Sequence, residues 1–169
     1  MRFTPFAIAV ALTVAATSSA IQAQRPDDEV DVRSAALLAT GRSQMAAGQL
    51  DAAADTIETA LAVDPRNRAA FVALGDVARA RGLPGQAYRH YREALLLNPN
   101  DISALRGQGE ALVAKGALVR ARENLSKIRK VCRNGACPDA TALAAVIARG
   151  APQAAMATAN PAKTGLMKE

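Results

Sequence analysis

The sequence predicts an all-α chain, an α-solenoid of three stacked helix–turn–helix repeats with a C-terminal capping helix. Three observations carry that expectation. Alanine fills 41 of 169 positions, aromatic residues make up 3% and Trp is absent. Small side chains suit close helix packing, not the β-branched and aromatic surfaces of sandwiches and barrels. Glycines recur every 34 residues, at Gly41, Gly75 and Gly109 and again at Gly48, Gly82 and Gly116. The same period is kept by Ala53, Ala87 and Ala121, by Leu37, Phe71 and Leu105, and by Ile57, Tyr91 and Leu125. A unit of this length cannot bury its apolar face alone, so stacking is what stabilises it.

In chain order, residues 1–23 read as a signal peptide. A positive start at Met1-Arg2 precedes the apolar run Phe6 to Ala16 and a small, polar stretch from Thr17 to Ala23. The run is shorter than the ~20 residues a membrane-spanning helix needs. Cleavage fits after Ala23, with Ile21 at −3, or after Ala20, with Ser18 at −3. The first is preferred because it starts a polar chain at Gln24-Arg25-Pro26. No Arg pair marks twin-arginine export and no Cys stands ready for a lipid. The expected location is therefore periplasmic or secreted. Residues 24–33 form a lead-in, acidic from Asp27 and placed at the positive end of the first helix.

Residues 34–67, 68–101 and 102–133 are the repeats. Gly48, Gly82 and Gly116 fall where the first helix of each unit must end in a left-handed residue. Gly41, Ala53 and Ala60 let the two helices of a unit approach. Pro84 suits the first position of a helix. Asp64-Pro65-Arg66-Asn67 and Asn98-Pro99-Asn100-Asp101 are turns between units. The third repeat has a degenerate end, with Arg133 where a Pro is due. Residues 134–150 supply the capping helix, with Leu143, Val146 and Ile147 on its apolar side and Gly150 as its stop. Residues 151–169, rich in Ala, Pro, Thr and Lys, read as a disordered tail.

The second unit, with Phe71, Leu74-Gly75, Gly82, Ala87, Tyr91, Ala94 and Pro99, resembles the tetratricopeptide repeat family, as exported bacterial proteins use it. The outer units depart from its pattern at Thr40 and Gln108 for Leu and at Gln44 for Tyr; Ala78 in the second unit also replaces that Tyr. The resemblance covers residues 34–133. It implies a concave groove, lined by the first helices, that holds a partner segment. The implied groove residues are Ala35, Leu38, Arg42 and Met45, then Ala69, Val72, Asp76 and Arg79, then Ser103, Arg106, Glu110 and Val113. Arg42, Asp76 and Glu110 occupy a row where chaperone-binding members carry a carboxylate clamp of Lys and Asn, so that clamp is absent.

Chemistry-bearing motifs are scarce. One His, His90, and two Cys cannot complete a tetrahedral zinc site. No nucleophile elbow or phosphate-binding loop is present. No catalytic residue, metal site or cofactor is expected. In an exported chain, Cys132 and Cys137 are expected to form a disulfide between the last repeat and the cap. Charge rises along the chain, from −2 over residues 34–67 to +2 over 68–101 and +6 over 102–133, where Arg120, Arg122, Lys127, Arg129, Lys130 and Arg133 gather. The expectation is a non-enzymatic periplasmic adaptor that binds another protein or peptide segment, with no nucleic acid and no stable membrane insertion. The alternative is a structural envelope protein that binds anionic cell-wall or lipid groups through its basic repeat.

Overall fold

The computed structural model describes residues 29–133 and 135–158; the expected signal segment 1–23 and residues 159–169 lie outside the described residues. Seven helices follow one another among the described residues, and no strand. They are α1 (Val32–Ala46), α2 (Leu50–Val63), α3 (Arg68–Ala80), α4 (Pro84–Leu97), α5 (Ile102–Ala114), α6 (Leu118–Cys132) and α7 (Pro138–Thr158).

The first helix of each unit starts on a side-chain cap. Asp31 accepts from the amides of Arg33 and Ser34, Asn67 from that of Ala70, and Asp101 from that of Ala104, each satisfying donors the helix cannot. The caps also join units. The fully buried Asn67 donates through Nδ2 to Ser34 Oγ at 2.8 Å, and that hydroxyl donates to the Ala60 carbonyl at 2.8 Å. Arg68 pairs with Asp101 at 2.8 Å. The turns inside the units are closed by Gly48, Gly82 and Gly116 at φ of 77°, 71° and 74°, values that glycine adopts at least cost.

The core runs between the helices as two larger clusters and a small one. Leu38, Ile57, Leu74 and Val77 lead the first, and Leu105, Leu112, Ile128, Leu143 and Ile147 the second. Between them sits Tyr91, fully buried, its ring lying where a Cβ on Gly75 or Gly107 would stand 2.5 or 2.4 Å away. Absence of a side chain at those two positions is what makes room for the ring.

The structure departs from the expected cap at one point. α7 does not stop at Gly150 but continues to Thr158, so residues 151–158 are helical rather than part of the expected tail. Gly150 serves contact instead: a Cβ there would meet Val113 Cγ1 at 2.5 Å. The lead-in is also shorter than expected, because Asp31 is already the cap and Val32 and Arg33 are helical.

Candidate functional site

Stacking decides which face is concave. Cα atoms of α1 and α3, of α3 and α5, and of α5 and α7 approach within 8 Å, whereas none do between α2 and α4 or between α4 and α6. The odd-numbered helices are therefore crowded and the even-numbered ones splayed, which curves the stack with α1, α3, α5 and α7 on its inner side.

On that side the charged side chains form a ladder across units. Asp76 of α3 accepts the Tyr91 hydroxyl at 2.8 Å and lies 3.4 Å from Arg79. Arg79 reaches Glu110 of α5 at 3.0 Å, and Glu110 takes Arg106 at 3.0 Å. Arg106 in turn binds Asp139 of α7 at 2.8 Å. Burial opposes the Arg79 charge, but the Tyr91 hydroxyl and the Glu110 and Asp76 carboxylates outweigh it and raise its pKa. Burial, with the Asp76 carboxylate adding, pushes the Tyr91 phenol well above its ordinary range, so it stays a donor at any physiological pH.

The apolar residues expected in the groove are placed differently. Leu38 is 6% exposed and packs in the core against α2 and α3, because its side of α1 meets the next unit and not the open face. Met45 and Val72 are half-buried against core clusters. Val113 lies beneath α7, against Gly150. Ala35 and Ser103 are exposed and Ala69 is half-buried. The inner face is thus charged rather than mixed, with Asp76, Arg79, Arg106 and Glu110 brought together. Arg42 is exposed, and no ion pair among the described residues includes it. Asp139 and the Tyr91 hydroxyl join the ladder without having been expected there. A carboxylate 33 positions after Arg106 was the available signal.

Cys132 and Cys137 stand with their sulfurs at bonding distance, 2.11 Å, and their Cα atoms 5.9 Å apart, within the ordinary range for a disulfide. The basic residues of α6 (Arg120, Arg122, Lys127, Arg129 and Lys130) are all exposed. His90 is half-buried on α4. No group of three or more metal-ligating side chains occurs among the described residues. No helix among them is long and apolar enough to cross a membrane.

The sequence model of the tetratricopeptide repeat matches residues 38–88 and 72–139. No curated protein matches the chain. Among solved structures, the Sgt2 TPR domain from Aspergillus fumigatus is 20% identical, with 82% of this chain and 91% of that one covered and a TM-score of 0.67. The first TPR of Spaghetti (RPAP3), bound to the HSP90 peptide SRMEEVD, is 19% identical, with 71% and 94% covered and a TM-score of 0.64. The type III secretion chaperone SycD of Yersinia enterocolitica, in complex with a peptide of the translocator YopD, is 17% identical, with 71% and 93% covered and a TM-score of 0.64.

Proposed function

Because the chain belongs to the tetratricopeptide repeat family, we propose that it is a non-enzymatic adaptor, exported to the periplasm, that holds a segment of another protein against the inner face of α1, α3 and α5. The observation that carries this reading is the charge on that face. From Asp76 to Asp139 every charge of the ladder has a protein partner, which fixes the side chains and leaves Arg42 at the open end as the exposed cation without one. A segment with an acidic group at Arg42 and polar contacts along Asp76 and Arg79 fits this arrangement. The structures solved with peptides of HSP90 and YopD support the same mode of use for the fold.

Selection of short displayed peptides on the full chain tests the reading. Selected segments should carry an acidic residue, and Arg42→Glu should weaken them about tenfold, the loss of roughly one charge-assisted contact. Helicity and melting temperature should hold, since exposed changes move stability by less than ~0.5 kcal/mol. Arg106→Glu is not an equivalent test, because it sets a third carboxylate beside Glu110 and Asp139. Loss of binding with Arg122 and Arg129 both changed to Glu, and none with Arg42→Glu, would move the site to the basic face. The location is tested by the mass of the protein from its host: a start at Gln24 supports export and a retained Met1 refutes it.

A further inference from the structure

We infer that the cleft between α4 and α6, on the outer side of the stack, binds an oxyanion with a phosphate-like head. The splay of the even-numbered helices opens a recess of about 270 Å³ there, floored by α5. Its floor carries a polar side chain where the preceding repeat has an apolar one. Gln108 stands 34 residues after Leu74, a core residue, and is itself 8% exposed.

The hydrogen bonds fix which way Gln108 faces. The Leu105 carbonyl can only accept, so the atom Asn124 sets 3.2 Å from it is Nδ2. The same Nδ2 donates at 2.9 Å to Gln108 Oε1. Gln108 Nε2 is thereby turned to the cleft, and no acceptor among the described residues takes its two hydrogens. Gln108 Nε2 is thus an accessible donor at the bottom of the cleft, free to meet an acceptor that enters it.

The rim supplies the charge. Arg120 is held in place by Tyr88, with its guanidinium 5.0 Å from the ring centroid and Nη2 donating to the phenol oxygen. Lys127 lines the cleft with no ion pair among the described residues, and Arg92 pairs only with its neighbour Glu93. These three cations face one carboxylate, Glu123. One repeat earlier the corresponding positions hold Glu58, Gln86, Arg89 and Glu93 around Leu74. The polar floor and the positive rim coincide at the second junction and not at the first.

This site is independent of the inner face. Gln108 is two residues from both Arg106 and Glu110, about 200° around α5 from each. Either surface can fail its test without the other.

The test is a titration of the full, ¹⁵N-labelled chain with inorganic phosphate and with methyl phosphate, ionic strength being held with sodium chloride. Both readouts are side-chain amide shifts of Gln108 and Asn124. Saturable shifts are expected with inorganic phosphate. Gln108→Leu, which restores the residue of the preceding repeat, should abolish those of Asn124. Changing Arg120 and Lys127 together to Gln should weaken binding at least tenfold, about the effect of one charge-assisted hydrogen bond. Saturation by methyl phosphate as well assigns the site to a phosphate carried on a larger molecule. Saturation by inorganic phosphate alone assigns it to the free ion. Shifts that grow linearly with either probe, or that survive Gln108→Leu, overturn the inference. If Gln108→Leu fails to fold, the Arg120 and Lys127 variant decides: unchanged affinity there overturns it equally.

Discussion

Replacing Gly75 by Ala is the smallest change that tests how the stack is packed. At an open helical position the exchange favours folding by about 1 kcal/mol. At Gly75 the added carbon would lie 2.5 Å from Tyr91 Cε1 and 2.7 Å from both Cδ1 and Cζ. The ring cannot retreat. Gly107 abuts Cζ, at 2.4 Å from its own imagined Cβ, and the hydroxyl is tied to Asp76. Overpacking a well-filled core costs about 1–3 kcal/mol. A ring clamped at two positions belongs at the upper end, so the net loss should be about 2 kcal/mol after the helix term is subtracted. Gly85→Ala is the matched control. It lies in the first turn of α4 with no atom within 4 Å of the new carbon, and should gain a few tenths of a kcal/mol to about 1. Urea unfolding followed by circular dichroism measures both, with the slope checked for constancy. Adding Tyr91→Leu to Gly75→Ala should cost less than the sum of the two single changes, because the clash is then gone. If Gly75→Ala stabilises as Gly85→Ala does, the close approach of Gly75 to Tyr91 is wrong.

Two further changes test local features. Arg133 has φ 54° and ψ −124° and starts a turn closed by the Gly135 amide on the Cys132 carbonyl. These are the angles of the first central residue of a type II′ turn, and Arg133→Gly should raise stability by about 1 kcal/mol in thermal unfolding. Burial, with Arg89 adding and Glu58 and Glu93 opposing, holds the His90 pKa below the ordinary 6.5. The unfolded chain takes that proton more readily, so the stability is fully present above about pH 6.5 and falls as pH drops from there toward the folded value. His90→Gln should therefore lose less melting temperature than the parent between about pH 7.5 and about pH 5.

The fold was legible because its determinants repeat. A single glycine in a helix says little, but Gly48, Gly82 and Gly116 at one spacing identify the same turn three times, and all three have positive φ. The end of α7 was not legible, because Gly150 carries the residue type of a helix stop while serving contact with Val113. Only a packed neighbour distinguishes the two roles. Leu38 was misplaced for a related reason. The period identifies which positions of α1 are equivalent to those of α3 and α5, but each face is bounded by the next unit, and Leu38 lies on the side that α3 covers.

Side-chain contacts between successive units follow a spacing that the 34-residue period hides. Contacts between successive units fall not at the period but just short of it, because side chains reach back toward the preceding helix. Asp31 and Asp64, Ser34 and Asn67, and Arg106 and Asp139 are each 33 apart, and Tyr88 and Arg120 are 32 apart. Arg79 and Glu110, 31 apart, fall short of the period by a little more. Arg106 finds Asp139 in this way, and its charge is consumed in joining α5 to α7. Arg42 stands in the register of Asp76 and Glu110 rather than of Arg106, and no ion pair among the described residues includes it. The arginines of the ladder are each held by a carboxylate of the same or the next unit, which is why Arg42, paired with none, is the charge we propose a partner to claim.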